Sequence, residues 1–190
     1  MKKFVFILLA FFALSRASVF AQEPEPAPST DPHTYTDPAM TYTAPANAIL
    51  LGRVGTFALN SLSEDLQTMA SWAIRPGEED ARTINLQMEE YSGPPNQWEG
   101  QFESQTHGGD SSSLVRNKTP MTLLNGMPAT FVEIAYGSGF DARKEYAVVW
   151  ADGQRGVVLS ETTRMGDTTS DQAKEVLKQV TAVAYPSYQP

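Results

Sequence analysis

The chain has 190 residues, 14 of them basic and 22 acidic, which gives a formal net charge of −8 at pH 7. This negative charge and the scattered placement of the basic residues argue against binding to nucleic acid or to anionic lipid. The sequence contains no cysteine, which excludes disulfide bonds, a thiolate nucleophile, zinc–thiolate sites and lipidation of a cysteine.

Residues 1–21 have the pattern of a secretory signal peptide. Lys2 and Lys3 precede an apolar run, Phe4–Leu14, and a cleavage site follows Ala21. As a helix, this run would span about 16 Å, roughly half of the hydrocarbon core of a bilayer. We therefore expect cleavage near Ala21 and export to the periplasm or the medium, with an uncleaved N-terminal anchor as the alternative. No later stretch has the ~18 apolar residues of a membrane span, so none is expected in the mature chain.

Residues 22–45 are predicted to be a disordered, proline-rich tail. They contain six prolines among small and polar residues and almost no large apolar ones, so burial could not offset the entropy of ordering them. Such a tail is either an inert solubilising segment or a spacer that holds the domain away from a surface. Its last part, Met40–Thr43, alternates in polarity and is a candidate edge strand. Residues 46–190 are expected to form a single domain.

The next segment predicts a helix followed by a strand. Ser61 and Glu64 are spaced as a capping box, and apolar residues at helical spacing then predict a helix over Leu62–Trp72. Ala81–Tyr91 alternates as a half-buried strand does. Its apolar side consists of Ile84, Leu86 and Met88, and its polar side of Thr83, Asn85, Gln87 and Glu89.

A short helix is predicted after the break at Gly93-Pro94-Pro95. Asn96 is a suitable N-cap, and Trp98 and Phe102, four residues apart, would share one face of this helix. The polar stretch Gln105–Asn117 is predicted to be a loop.

Two hairpins follow. Asn125-Gly126 is a strong signal for a two-residue hairpin turn, and Asp152-Gly153 predicts a second turn. The strands predicted for these hairpins are Met121–Leu124 with Ala129–Tyr136, and Glu145–Trp150 with Gly156–Glu161.

The last predicted element is a helix capped by Thr169 or Ser170. Its apolar stripe consists of Ala173, Val176, Leu177, Val180 and Ala184. With this helix the prediction contains about three helices and five or six strands, most of them joined by hairpins. The expected fold class is therefore α+β, with an antiparallel sheet packed against helices.

The order of these motifs resembles a family of uncharacterised exported bacterial proteins. The segment Asn96–Phe102 resembles their Asn-x-x-Trp-x-x-Gln-Phe motif, and a strand pair like Thr119–Tyr136, a hairpin like Tyr146–Leu159 and a terminal helix like Asp171–Ala182 follow in the same order. Over roughly Thr41–Tyr185 this order is similar to the PsbP-like α-β-α sandwich. The resemblance implies such a sandwich, an envelope location and an accessory, assembly or binding role, and it supplies no catalytic residues.

Candidate catalytic residues are few. His107 lies near Asp110 and three serines in a glycine-containing stretch, which makes it the weak candidate for a hydrolase site. A solvated surface loop has the same composition. Glu133 lies in a predicted strand on the side of Phe131 and Ala135, where partial burial would raise the pKa of a carboxylate. One ordered histidine does not make a zinc site, and no calcium or phosphate-binding pattern is present, so no metal or cofactor is predicted.

The aromatic residues are the remaining candidates for recognition. A possible ligand surface would include Trp98, Tyr91, His107 and Phe140, although tryptophans in helices and strands are more often part of a core. The residues favour a non-enzymatic binding or accessory domain of the envelope or the medium, with an envelope protein, a peptide or a glycan as its partner. The alternatives are an extracytoplasmic hydrolase that uses the His107 loop and a structural spacer protein.

Overall fold

The computed structural model describes residues 29–55, 58–109, 114–137, 142–164 and 166–186. The predicted signal peptide lies outside these ranges. Within them the chain forms ten strands, two α-helices and one 3₁₀ turn at Leu59–Ser61. The strands are β1 Thr34–Asp37, β2 Met40–Thr43, β3 Ala48–Arg53, β4 Gln67–Ile74, β5 Arg82–Glu90, β6 Leu114–Thr122, β7 Pro128–Tyr136, β8 Arg143–Ala151, β9 Arg155–Arg164 and β10 Val180–Ala182, and the helices are α1 Pro95–Gly109 and α2 Ser170–Leu177.

The strands form two antiparallel sheets. The large sheet has seven strands in the order β3-β4-β5-β9-β8-β7-β6, and the small sheet has three in the order β1-β2-β10. Short turns join β6 to β7 and β8 to β9, and Gly126 and Gly153 take positive φ angles of 92° and 97° in these turns. Both predicted hairpins are therefore present, but β6 ends at Thr122 and Asn125-Gly126 lies in a connection of residues 123–127 instead of a two-residue turn.

The two faces of the large sheet are covered by different elements. Because side chains alternate along a strand, the odd-numbered residues of β9 from Arg155 to Thr163 face the small sheet and α2, and the even-numbered ones face α1. Trp98 and Phe102 of α1 pack in one apolar cluster with the sheet residues Val132, Ile134, Ala147, Val149, Ala151 and Val158. The larger cluster lies on the other face and includes Tyr42, Trp72, Leu86, Phe131, Tyr146, Leu159 and Leu177.

A fully buried ion cluster joins the two sheets. The Nε of Arg155 in β9 donates to Oδ2 of Asp152 at 2.7 Å, and its Nη1 donates to Oδ2 of Asp37 at 2.6 Å. Asp37 ends β1, and its Oδ1 also accepts the backbone N–H groups of Ala39 and Met40. The cluster therefore fixes the β1–β2 turn against the end of β9.

The predicted fold class was wrong. The structure is mostly β, with sheets of three and seven strands and two α-helices, instead of five or six strands with three helices. The helix predicted over Leu62–Trp72 is replaced by β4, whose side chains from Met69 to Ile74 are buried except Ser71. Pairing with β3 and β5 satisfies this backbone along both edges, and a bulge between Thr68 and Ala70 disrupts the alternation that would have indicated a strand.

Three further segments differ from the prediction. Residues 34–43, within the predicted tail, form β1 and β2, and β2 is the central strand of its sheet. The predicted loop Gln105–Asn117 contains the end of α1 and the start of β6. The last helix is capped by Thr169 as predicted but ends at Leu177, and Val180 and Ala182 belong to β10.

Candidate functional site

Two of the aromatic residues predicted to form a ligand surface are buried. Trp98 and Tyr91 have ring centroids 5.2 Å apart and belong to the cluster under α1. Trp98 Nε1 donates to the carbonyl oxygen of Val157, and the Tyr91 hydroxyl donates to that of Pro94 at 2.8 Å. Since both polar groups are used within the fold, their burial argues against a ligand surface made from these rings.

The candidate catalytic residues are not brought together among the described residues. His107 lies in the last turn of α1, but its side chain, like Asp110 and Phe140, is outside the described part of the chain. Glu133 is half-buried on β7, and its Oε1 accepts a hydrogen bond from Asn117 Nδ2 at 3.1 Å. Glu133 faces the side of the large sheet opposite to α1, so it does not form one site with the helix.

A buried carboxylate that the sequence analysis missed lies between the two sheets. Glu161 of β9 accepts a hydrogen bond from Arg82 Nη1 at 3.0 Å, while its Oε2 has no hydrogen-bond partner in the described residues. Burial raises the pKa of Glu161, and the Arg82 guanidinium only partly opposes that shift. Tyr42 of β2 lies nearby, and burial, together with the charge of Glu161, raises the pKa of its phenol.

A second buried carboxylate lies on the α1 side of the sheet. Glu89 of β5 accepts hydrogen bonds from Gln101 Nε2 at 2.6 Å and from Gln105 Nε2 at 2.9 Å, one helical turn apart on α1. Burial raises the pKa of Glu89, and the two amide hydrogen bonds act in the opposite direction. Because both of its carboxylate oxygens accept hydrogen bonds from α1, Glu89 holds this helix against the sheet.

Beside α1, the same face of the large sheet carries an open band of hydroxyl and amide side chains. α1 packs mainly over β8, and the part of the face formed by β4, β5 and β9 carries polar residues that are half-buried, except Ser160, which is buried. We call this band the polar strip, and its members are Ser71, Thr83, Asn85, Gln87, Ser160 and Thr162.

The register of the strands brings the strip residues together. Ser71, Asn85 and Ser160 stand opposite one another across three strands, as do Thr83 and Thr162 across two. Ser71 Oγ donates to Asn85 Oδ1 at 2.8 Å. The alternation of β5 had already indicated Thr83, Asn85 and Gln87 as the polar side of a strand, but Ser71 and Ser160 come from segments far apart in the sequence.

Ser160 lies where the open strip meets the part of the sheet covered by α1. Its strand neighbours on this row are Asn85 on the open side and Ala147 on the α1 side. Its Oγ is buried and has no hydrogen-bond partner among the described residues. Such a hydroxyl is costly to bury without a partner, and a ligand atom that reaches it when the neighbouring strip side chains shift would supply the missing hydrogen bond.

In the described ranges, no three His, Asp or Glu side chains lie close enough together to hold a metal ion. None of the helices in these ranges is long and apolar enough to cross a membrane.

Comparisons with known proteins indicate similarity to an envelope protein of known structure. No protein-family model and no curated protein matches the sequence. The chain is similar to the crystal structure of LpqN, described as involved in cell envelope biogenesis of Mycobacterium tuberculosis, with a TM-score of 0.52 at 17% identity over 77% of this chain and 86% of that one. A structure from Bacteroides thetaiotaomicron VPI-5482 has a TM-score of 0.43 at 10% identity, over 79% of this chain and 48% of that one, which is too distant to indicate a shared fold. The PsbP-like resemblance is not shown by these matches, and the chain has a fold similar to that of LpqN.

Proposed function

We propose that this chain is exported and acts in the cell envelope as a non-enzymatic accessory domain that binds a neutral, hydroxyl-rich glycan on the polar strip. The observation that carries the proposal is the buried, unpartnered hydroxyl of Ser160 at the inner border of the strip. Export is supported by the leader pattern of residues 1–21. An envelope role is supported by the similarity to LpqN, whose description names cell envelope biogenesis.

The chemistry of the strip fits a polyol better than a charged ligand. All six members are uncharged, and their hydroxyl and amide groups both donate and accept hydrogen bonds. The backbone N–H and C=O groups of β5 and β9 pair within the sheet. A ligand must therefore bind to side chains, and hydroxyl and amide side chains suit the hydroxyl groups of a sugar. A negatively charged glycan would be repelled by the acidic chain.

Calorimetric titration of the exported chain with neutral glycan fragments from the envelope of the producing organism tests this proposal. Ser160→Ala and Asn85→Ala are expected to weaken binding at least about tenfold, which corresponds to one or two lost hydrogen bonds. Asn117→Ala is the matched control, because it also removes a strand amide with one side-chain hydrogen bond, but from the opposite face. Binding that is unchanged in both strip variants, or lost equally in the control, would contradict the proposal.

Export is tested separately. Mass measurement of the protein recovered from the envelope fraction and the medium is expected to show a chain that begins at Gln22. An intact N-terminus in the envelope fraction would instead indicate an uncleaved anchor.

A further inference from the structure

Among the described residues, one edge of the large sheet carries residues that block strand pairing and the other does not. β6 and β3 are the outer strands, so each has a neighbour on one side within the described residues. β6 contains Pro120, which removes a backbone donor, and Lys118, whose Nζ pairs with Glu99 at 2.9 Å and with Glu103 at 2.7 Å. Proline and lysine are the residues that commonly block pairing at a sheet edge.

β3 contains neither proline nor lysine, and its one irregularity in the described residues is the bulge between Leu50 and Gly52. Its single charged residue is Arg53, and the Nη1 of that guanidinium donates to the carbonyl oxygens of Asp31 and Thr34 within the same chain. The large apolar side chains along this edge are exposed instead: Ile49 by 54%, Leu51 by 60% and Val54 by 38%. An apolar edge without proline or lysine is a template for another strand.

The distribution of charge indicates which strand it accepts. Between Pro38 and Ser63, Arg53 is the one charged residue, although the chain as a whole carries 36 charged side chains and a net charge of −8. Two copies of an acidic chain repel each other least where acidic residues are missing. The β3 edge is such a place, so a second copy can approach there with little local charge repulsion.

The strand is also complementary to itself. In an antiparallel pairing about a two-fold axis at Leu50, Ile49 of one copy stands opposite Leu51 of the other, and the symmetry repeats this contact. Opposed apolar side chains of this kind stabilise a strand pair. The bulge between Leu50 and Gly52 keeps the pairing short, so we expect a weak dimer with a dissociation constant of about micromolar or higher.

We propose that β3 pairs antiparallel with β3 of a second copy of this chain, about a two-fold axis at Leu50, and that the two large sheets become continuous across a homodimer. The proposal is independent of the polar strip, because it concerns the outer edge of the sheet and uses none of the strip residues.

Sedimentation velocity over a concentration series tests the dimer. The exported chain is expected to sediment as a concentration-dependent dimer, and Leu51→Asp is expected to weaken self-association at least tenfold. Leu124→Asp is the matched control, because Leu124 is 58% exposed but lies in the β6–β7 turn. A monomer at all concentrations up to about millimolar, or equal effects of the two substitutions, would overturn the proposal.

The register is tested by disulfide trapping. The chain has no native cysteine that could form competing disulfides. An equimolar mixture of Ile49→Cys and Leu51→Cys proteins is expected to form mixed disulfides on mild oxidation, since opposed residues have Cα atoms at about 4.5–5.5 Å. Each variant alone should form at least fivefold fewer. Equal yields in the mixture and in the single-variant samples would overturn the two-fold register.

Discussion

Asp37 and Arg155 form a two-pronged, fully buried ion pair between the two sheets. Arg155 Nη1 lies 2.6 Å from Asp37 Oδ2, and Nη2 lies 3.3 Å from Oδ1. The Tyr185 ring stacks against the same guanidinium at 4.8 Å from its centroid, so the positive charge is surrounded by groups that can stabilise it. This pair connects β1 of the small sheet to β9 at the centre of the large one.

Removal of Asp37 should destabilise the protein strongly. In Asp37→Ala, the β1–β2 turn loses the acceptor for two backbone N–H groups, and Arg155 loses one of its carboxylate partners. We expect a loss of about 3–5 kcal/mol in the free energy of unfolding, as for other buried pairs with one partner removed, measured by urea denaturation. Asp31→Ala, in an exposed turn nearby, should have a much smaller effect, and similar losses in both variants would contradict this role.

The buried Glu161 predicts a particular pH dependence. Its pKa is raised above the ordinary value of 4.5 by burial, so the folded state favours the neutral carboxyl group. This contribution to stability is complete below about pH 4.5 and is lost as the pH rises through the pKa in the folded protein. Glu161→Gln removes the titration and keeps an acceptor for Arg82, so its stability relative to the wild type should increase between pH 4.5 and 7. Parallel stability curves for the two proteins over this range would show that Glu161 does not titrate as described.

Gly156 is required by the packing of α1. A Cβ atom at this position would lie 2.6 Å from ring atoms of Trp98, which is itself buried between α1 and the sheet. Gly156→Ala should therefore destabilise the protein by about 1–3 kcal/mol through overpacking and should change the fluorescence of Trp98. Gly100→Ala is the control, since nothing lies within 4 Å of a Cβ there; in the middle of a helix it should stabilise by about 0.5–1 kcal/mol. A harmless Gly156→Ala would mean that the Trp98 ring can shift freely.

Ser160→Ala should separate stability from ligand binding. The Oγ of Ser160 is buried without a partner, so its removal should raise the free energy of unfolding by about 1 kcal/mol in the absence of ligand. The same substitution should weaken glycan binding if the strip is the site. A destabilised Ser160→Ala protein would show instead that the hydroxyl contributes to the fold.

Local signals were sufficient for part of this fold. Asn125-Gly126 and Asp152-Gly153 mark the positions of their turns, and Thr169 marks a helix start that Gln172 completes as a capping box. The face shared by Trp98 and Phe102 was also predicted, because helical spacing is a property of a few neighbouring residues. These features depend on contacts close in sequence, so they are readable without the rest of the chain.

The remaining features depend on distant contacts. Met69 and Trp72 belong to a segment whose composition and spacing resemble a helix, and pairing on both sides overrides that preference. The same limit applies to the candidate site, since Ser71 meets Asn85 and Ser160 only after three strands have aligned. Nothing in the sequence indicates that Asp37 and Arg155 form a pair. The prediction of a disordered tail also missed that Asp37, which lies among its prolines, is buried.

The pairing of β2 with β10 also has a consequence for the order of assembly. Tyr42 stands opposite Val180 and Met40 opposite Ala182, so the small sheet joins an early part of the chain to a late one. While a chain is emerging from a ribosome or a translocation channel, β2 must wait for nearly all of the other strands before its second partner arrives. We therefore expect the closure of the small sheet to be among the late steps of folding.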